Sequence, residues 1–467
     1  MKKRILAILL LLFIIFEAAV GQSVRVSADD DAGIIWPTGP EITADGAIVV
    51  EATTGSILYE KNIYEKFFPA STTKILTTLV ALENSELNEI VTVSYAADNY
   101  VSKTSSRMGL VEGEQITMEQ ALYGIMLESA NEGTYAVGEH VGGSIARFIK
   151  MMNAKAKSLG CVNSNFANSH GLHDEDHYTC PYDMALIARA AYQNEAFMKI
   201  TGTATYAMPA TNKNEAKLLT NHHWFLNKTM KYDYCIGGKT GATTQAGYAL
   251  VTYAKKDGMT IISVVMHDET WAKVYTDSKT LLDYCFDNFK TYRMSDLAGS
   301  STDIPSLFSG EIDEFNEDRE SVLHGGGEGG LVILPDAVTP GDTVKRIDYN
   351  ADADIDHGDN VIGTISYTYG DKIIGMADIV YYNSSDAMNE AAFSKRWPGF
   401  MIPVDVAFEG IDISTLSMSK KKSTELPSLS DLIDLEKAAP VAVGVGIGSF
   451  ALLVGLLVLL LTRKKRR

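Results

Sequence analysis

Ser71 and Lys74, three residues apart, are two side chains that could do chemistry together. They begin an apolar run over 75–82, which predicts a buried helix starting near Ser71 with Pro69 just outside it. Positions i and i+3 share one helix face, so the hydroxyl and the amine can meet. Free backbone N–H groups at the start of a helix favour developing negative charge. The pair therefore predicts a serine nucleophile activated by a lysine base.

Two later motifs turn this common pair into a candidate site. Alone, Ser-x-x-Lys also fits a capped helix with a surface lysine. Ser129 and Asn131 follow a predicted helix that opens on a capping box at 117–120 and runs to about Leu127. Lys-Thr-Gly at 239–241 lies on a predicted strand. The ordered set Ser-x-x-Lys, Ser-x-Asn and Lys-Thr-Gly favours one cleft made from three separated pieces of chain.

The elements that must position these motifs predict an α+β domain with an antiparallel sheet. The predicted strands are 47–51, 56–60, 90–93, 236–241, 247–253 and 259–266. Further predicted helices are 134–159, 181–192 and 272–289. Residues 255–258 predict a hairpin turn. Strands at both ends with helices between them give this fold class.

Both ends of the 467-residue chain predict membrane targeting. A basic start and an apolar run over 5–16 are typical of a signal peptide, assigned to 1–28. Uncharged residues over 438–462 are long enough for a transmembrane helix, and the basic tail 463–467 would remain in the cytoplasm. The sequence thus predicts a single-pass protein of the cell membrane whose catalytic domain lies outside the cytoplasm.

The region between the two ends is acidic and divides into two predicted domains. The net charge is -18 although eight basic residues lie at the chain ends, which argues against nucleic acid as a partner. We predict a catalytic domain at 34–298 and a small β-rich domain at 299–415, followed by a linker at 416–437. Strand-like segments in the second domain are 331–334, 361–367 and 372–376.

The four cysteines are widely spaced. They are Cys161, Cys180, Cys235 and Cys285, a pattern that fits neither a disulfide-dense scaffold nor a paired metal motif. Free buried thiols are expected, and a bridge between Cys161 and Cys180 stays open because export permits disulfides.

Together these motifs resemble those of the low-molecular-mass penicillin-binding proteins that are D-alanyl-D-alanine carboxypeptidases. The motif set is typical of penicillin-binding proteins and β-lactamases, and segments 54–62, 105–110, 170–172 and 241–248 are similar to further landmarks of the family. The resemblance covers about 40–298. It implies an antiparallel sheet flanked by helices plus an all-helical lobe, the transpeptidase fold of this group.

The resemblance implies catalytic roles for three residues. Ser71 would attack the carbonyl between two terminal D-alanines and become acylated. Lys74 would take its proton, and burial together with the nearby Lys239 would lower the pKa of that amine. Ser129 would pass the proton to the departing amine.

The resemblance also implies a substrate-binding role for Asn131 and for the 239–242 strand. Asn131 would hydrogen-bond the substrate backbone, and Lys239 would support the electrostatics. Thr240 would bind the terminal carboxylate, while Gly241 lets an extended peptide come close. Backbone N–H groups of Ser71 and Ala242 would form the oxyanion hole. The implied partners are a peptidoglycan pentapeptide ending in D-Ala-D-Ala and β-lactam antibiotics, with no cofactor or metal.

Four other functions stay open from the sequence. A class A-like β-lactamase shares the acylating groups but needs a glutamate-activated water, and no Glu-x-x-Leu-Asn occurs between 131 and 239. A D,D-endopeptidase would use the same site. A catalytically silent peptidoglycan-binding protein would capture substrate without turning it over. A zinc peptidase would need ligands from a polar loop, namely His170, His173, Asp174, Asp176 and His177.

Overall fold

The computed structural model describes residues 35–294, 323–324, 330–349 and 358–383. The predicted signal peptide, linker, transmembrane helix and basic tail lie outside these residues. Within them, no helix combines the length and apolar character that crossing a bilayer requires.

Fifteen strands are described, and five of them form the sheet that carries the site, in the order β2-β1-β9-β8-β7. The strands are β1 (Gly46–Glu51), β2 (Ile57–Lys61), β3 (Ile90–Thr92), β4 (Gln115–Thr117), β5 (Thr205–Met208), β6 (Lys217–Thr220), β7 (Cys235–Thr243), β8 (Gly247–Lys256), β9 (Met259–Asp268), β10 (Phe289–Arg293), β11 (Leu323–His324), β12 (Leu331–Pro335), β13 (Val344–Tyr349), β14 (Gly358–Tyr369) and β15 (Lys372–Asn383).

The five strands pair antiparallel throughout. The hairpin predicted at 255–258 is present between β8 and β9 and turns at Asp257 and Gly258, and β1 and β2 form another hairpin. Strand β7 is an edge strand, because only β8 pairs with it among the described strands. One edge of the Lys-Thr-Gly strand therefore has no partner strand among the described residues.

In chain order, seven of the eight described α-helices come after β2 and before β7, and the eighth follows β9. They are α1 (Lys74–Asn84), α2 (Tyr95–Asn99), α3 (Met118–Leu127), α4 (Asn131–Gly142), α5 (Ile145–Ser158), α6 (Pro181–Tyr192), α7 (Glu195–Thr201) and α8 (Trp271–Asn288). Helix α3 has the predicted capping box, since the Thr117 and Gln120 side chains each bond the other's backbone N–H.

The prediction of one helix over 134–159 is wrong. Two helices cover this stretch, and they are separated at Gly143, whose φ of 70° is left-handed. Ser144 then caps α5 by accepting from the Arg147 N–H. A glycine in the left-handed region followed by a serine cap ends one helix and starts the next.

Alternation along the strands buries both faces of the sheet. On β1, Ile48 and Val50 pack into the cluster formed with the helices α1 and α3–α7. Ala47 and Val49 pack into the opposite cluster, which contains Tyr275 of α8. This period of two fixes the face on which each β7 side chain lies.

The residues after α8 are strands wherever the structure describes them. β10 pairs with β12, and a four-stranded sheet has the order β11-β15-β14-β13. These strands include the three strand-like segments predicted at 331–334, 361–367 and 372–376. Other parts of the predicted 299–415 domain lie outside the described residues, so its boundaries stay a prediction.

All four cysteines are free thiols, and the bridge between Cys161 and Cys180 that the sequence left open is not formed. Cys161 and Cys180 both contact Asp183. The Cys161 thiol lies 3.5 Å from the Asp183 carbonyl oxygen, and the Asp183 backbone N–H donates to the Cys180 sulfur. These contacts hold both thiols against the N-terminal turn of α6.

Candidate active site

The nucleophile candidate lies in a 3₁₀ turn, Ala70–Thr73, that leads directly into α1. Ser71 Oγ accepts a hydrogen bond of 2.9 Å from Lys74 Nζ. The three-residue spacing predicted this contact, although a 3₁₀ turn and not an α-helical turn produces it. The hydroxyl thus has an amine in position to receive its proton.

Lys74 is fully buried and makes two further hydrogen bonds. Its Nζ donates to Asn131 Oδ1 at 2.7 Å and to the His170 carbonyl at 2.6 Å. Its exposed fraction is 0%. Burial, and then the charge of Lys239, lower the pKa of Lys74 well below its ordinary value, while Glu132 raises it. An amine in this position is neutral more readily than a surface lysine and can act as a base.

Lys239 lies on β7 and is also buried, with 2% of its surface exposed. Its Nζ donates to the Thr240 carbonyl at 3.1 Å. Burial lowers the pKa of Lys239 from 10.5 to about 7. The Lys239 cation in turn favours the neutral form of Lys74.

Ser129 and Asn131 flank the junction between α3 and α4. Ser129 has a left-handed φ of 58°, which is unusual for a residue with a side chain. Its Oγ is buried, and no described atom hydrogen-bonds it. A buried hydroxyl without a partner in a strained turn is typical of a group that serves a ligand.

Strand β7 comes close to the nucleophile because position 241 is glycine. A Cβ on Gly241 would lie 2.9 Å from the Pro69 carbonyl and 3.1 Å from the Ser71 nitrogen. The burial of 237–241 on this edge strand reflects the same approach. Any larger residue would push the strand away from the serine.

These groups meet in one cavity of about 320 Å³. Five of the eight predicted site residues line it, while Lys74, Asn131 and Lys239 lie buried beside it through the contacts above. Its lining residues are Ser71, Ser106, Ser129, His222, Trp224, Asn227, Thr240, Gly241, Ala242 and Trp271. The size is that of a small-ligand pocket.

Sequence reasoning missed half of this lining. Trp224 and Trp271 form an aromatic side of the cavity, braced by Tyr275, which stacks on Trp224 with ring centres 4.7 Å apart. His222 contributes an imidazole that pairs with Glu128 at 3.2 Å. No local motif marks these residues, because only the tertiary fold brings them to the site.

Glu132 is another residue that the sequence did not single out. It is fully buried next to Asn131, and one carboxylate oxygen accepts from the backbone N–H groups of Met108, Gly109 and Leu110 at 2.8–3.2 Å. This fixes the 106–110 loop, and the Ser106 carbonyl in turn accepts from the Asn131 N–H. The only sequence signal related to this contact was the 105–110 segment, whose backbone Glu132 binds.

The polar loop proposed as a zinc site has other partners. His177 Nε2 lies 2.8 Å from Thr73 Oγ1, and His173 pairs with Glu175. Among the residues that the structure describes, no group of three or more His, Cys, Asp or Glu side chains is arranged to hold a metal. The His170 contribution to the site is its carbonyl.

Comparison with known proteins agrees with this geometry. The sequence profile of the D-alanyl-D-alanine carboxypeptidase family matches residues 35–270, about half of the chain. The chain is 34% identical to D-alanyl-D-alanine carboxypeptidase DacF of Bacillus subtilis over 53% of its own length and 64% of that protein. It is 29% identical to DacA of Haemophilus influenzae over 82% of its length and 94% of that protein.

The fold agrees as well. Penicillin-binding protein 5 from Haemophilus influenzae has a TM-score of 0.57 at 27% identity, over 74% of this chain and 99% of that structure. The mixed helix and sheet architecture predicted from the sequence is therefore that of the penicillin-binding proteins. The chain belongs to the D-alanyl-D-alanine carboxypeptidase family of low-molecular-mass penicillin-binding proteins, which confirms the predicted family and its serine-type hydrolase class.

Proposed function

We propose that this protein removes the terminal D-alanine from peptidoglycan stem peptides through an acyl-enzyme on Ser71. The observation that carries the proposal is the hydrogen bond between Ser71 Oγ and the fully buried Lys74 Nζ. A neutral amine at hydrogen-bond distance is what a serine needs to become a nucleophile. Family membership supplies the substrate class.

In the acylation step, Ser71 Oγ bonds to the carbonyl carbon while its proton passes to Lys74 Nζ. The carbonyl electrons move to oxygen, and the N–H groups of Ser71 and Ala242 stabilise that charge. Collapse of the intermediate breaks the C–N bond. The departing amine receives a proton through Ser129 Oγ and leaves as free D-alanine. The unpartnered, buried Ser129 hydroxyl supports this role.

Hydrolysis of the ester completes the cycle. Water adds to the acyl carbon while Lys74 takes one of its protons. The intermediate then expels Ser71 Oγ, which regains a proton from the same amine. The shortened peptide leaves with a new carboxylate, and the starting enzyme is restored.

Substrate placement follows from the free edge of β7. A peptide that adds to this edge as a strand would lie against Thr240, Gly241 and Ala242. Its terminal carboxylate would meet the Thr240 hydroxyl near the Lys239 charge, and Asn131 would bond its backbone. We assign these binding roles on the basis of the shared cavity and the family motif.

Penicillin would acylate Ser71 by the same attack, but the amine released from the opened ring stays tethered. Rapid release would need a water activated by a carboxylate. No carboxylate is among the residues that line the cavity, which favours a slowly hydrolysed adduct over β-lactamase activity.

We also propose that the protein is exported and held in the cell membrane by the predicted helix at 438–462, with the catalytic domain outside the cytoplasm. The support for this location is the sequence alone: a signal peptide at 1–28 and a basic tail after the apolar segment. Protease accessibility of the catalytic domain in intact cells would test it.

The decisive experiment incubates the purified protein with a labelled penicillin and locates the adduct by mass spectrometry. We expect one adduct, on the peptide that contains Ser71, and none in Ser71→Ala. Release of D-alanine from a pentapeptide then separates an enzyme from a silent binding protein. An adduct elsewhere, or activity abolished by a chelator, would contradict the proposal.

A further inference from the structure

The residue before the nucleophile has a strained backbone. Ala70 has a left-handed φ of 48°, a conformation that residues with a Cβ rarely adopt. It sets the direction of the peptide that leads into Ser71. A strained residue at this place persists only if its surroundings hold it.

A hydrogen-bonded chain ends on the Ala70 carbonyl. Thr73 Oγ1 donates to that carbonyl at 2.8 Å and lies 2.8 Å from His177 Nε2. His177 Nδ1 accepts from the Ala167 N–H at 3.0 Å. A backbone N–H can only donate, so Nδ1 is the acceptor nitrogen and Nε2 carries the proton. The Ala167 N–H therefore donates to His177, His177 donates to Thr73, and Thr73 donates to the Ala70 carbonyl.

The same imidazole supports the turn that contacts Lys74. Its Nδ1 lies 3.4 Å from the Asn168 N–H, and Asn168 Oδ1 accepts from the Gly171 N–H at 2.7 Å. The Gly171 Cα lies so close to Ala70 that a Cβ there would stand 1.8 Å from the Ala70 carbonyl oxygen. This turn also presents the His170 carbonyl to Lys74 Nζ. His177 is thus linked by hydrogen bonds to the turn that holds Ser71, through Thr73, and to the turn that contacts Lys74, through Asn168.

Local geometry alone does not account for this arrangement. A threonine hydroxyl that bonds the carbonyl three residues earlier is common near helix starts. Here a histidine 104 positions away completes the bond. His177 is 1% exposed, and burial, together with the charges of Lys74 and His173, lowers its pKa to about 4 although Asp174 raises it. The imidazole is therefore neutral, as the chain requires.

We propose that His177, acting through Thr73, is a positioning residue that holds Ala70 and so fixes Ser71 against Lys74. The inference rests on the proposed role of Ser71 as the nucleophile. A histidine in this role transfers no proton to the substrate. Its effect is to keep the serine oxygen in the reactive geometry, where displacements of about 1 Å cost about 100-fold in rate.

The test compares Thr73→Val with Thr73→Ser in the full-length protein. Valine keeps the shape of threonine but removes the hydroxyl, whereas serine keeps the hydroxyl. The acylation rate constant with a fluorescent penicillin is normalised to the final labelled fraction, so that partial unfolding does not lower it. We expect a loss of about 10-fold to 100-fold in Thr73→Val, seen in kcat more than in KM for a Lys-D-Ala-D-Ala peptide. Thr73→Ser should stay within about threefold of the wild type.

A second variant covers the case in which Thr73→Val does not fold. His177→Gln keeps an N–H donor near the Nε2 position, but its amide oxygen does not occupy the position of Nδ1, so the bond from the Ala167 N–H is lost and a loss of the same order is expected. Wild-type rates in a folded Thr73→Val or His177→Gln, or equal losses in Thr73→Val and Thr73→Ser, would overturn the proposal. The mass-spectrometry experiment separates the two proposals. If it finds the wild-type adduct on Ser71 and the variants give one of these overturning results, the proposed function stands while the positioning role falls. If the wild type is not labelled at Ser71, both fall.

Discussion

Replacing Lys239 by methionine should stabilise the protein while it disables the site. The buried amine has a pKa near 7 in the folded state and 10.5 in the unfolded state. Each pKa unit corresponds to about 1.36 kcal/mol, so holding the charge costs the folded state about 5 kcal/mol. The lost hydrogen bond to the Thr240 carbonyl offsets about 1 kcal/mol of the gain. Lys239→Met should therefore gain about 3 to 5 kcal/mol of unfolding free energy.

The pH dependence of this gain follows from which state holds the proton. Below pH 7 both states of the wild type hold it, and the full penalty is present. Between pH 7 and 10.5 the folded state has released the proton while the unfolded state retains it, so wild-type stability rises with pH. Above 10.5 the penalty is absent. The advantage of Lys239→Met should therefore be largest near pH 6 and shrink steadily toward pH 10.

Urea unfolding of the full-length protein at pH 6, 8 and 9.5, followed by tryptophan fluorescence, measures this advantage. Lys255→Met is the matched control, because Lys255 is exposed on the neighbouring strand β8, and it should show no pH-dependent gain. Penicillin acylation should fall in Lys239→Met, since the loss of this cation lets the pKa of Lys74 rise. A variant no more stable than the wild type at pH 6, or a gain that is constant with pH, would refute the reasoning.

Three further predictions concern acylation by a fluorescent penicillin. Lys74→Ala should slow it by about 100-fold to 10,000-fold because the base is lost, and normal labelling would remove Lys74 from that role. Gly241→Ala should slow it by about 10-fold or more, because the new methyl would stand 3.1 Å from the Ser71 nitrogen; a wild-type rate would show that the strand can yield. In the wild type the rate should rise with pH and level off well below 10.5, since burial lowers the pKa of Lys74 and only its neutral form accepts a proton. Stopped-flow measurements from pH 5 to 9 check the last point, and a rate that falls across this range would contradict it.

The sequence predicted correctly those elements whose ends depend on a few neighbouring residues, such as a helix cap or a tight turn. Helix α3 begins where the Thr117 and Gln120 capping box places it. Helix α6 begins at Pro181, a residue suited to the first helical position because it lacks an N–H. The β8–β9 hairpin turns at a two-residue Asp-Gly, a sequence that tolerates the left-handed backbone required there. In each case a few neighbouring residues determine the outcome.

The stretch 134–159 shows where such reasoning fails. Its apolar periodicity continues through Gly142, Gly143 and Ser144, and periodicity alone predicts one helix. The left-handed φ of Gly143 and the Ser144 cap divide it instead. The break lets α5 fold back against α4, where Phe148 lies so close to Gly142 that a Cβ there would stand 2.7 Å from the Phe148 nitrogen. The glycine and serine at 143 and 144 are a local signal for a helix end and a helix start, and this signal outweighs the apolar period.

The candidate site also contains some residues that local motifs predicted and others that only the tertiary fold brings to it. The Ser71–Lys74 contact follows from a spacing of three, and the Lys-Thr-Gly strand follows from the motif. The His170 carbonyl and the Glu132 carboxylate reach the site only through tertiary structure, since their roles are a backbone acceptor and a loop anchor. A backbone carbonyl carries no residue-type signal, so the 170–172 landmark marked the segment but not the contact that its carbonyl makes with Lys74.

The features that make the site reactive are also those that oppose folding. Lys74 and Lys239 are buried amines, and Ala70 and Ser129 have left-handed backbones that cost on the order of 1 to 3 kcal/mol each. These costs are tolerable because the sheet buries both of its faces between two apolar clusters. A surface lysine would stay protonated at neutral pH, so burial is the condition for Lys74 to act as a base. It follows that substitutions which relieve the burial or the strain should raise stability and lower acylation together, whereas core substitutions distant from the cavity should change stability alone.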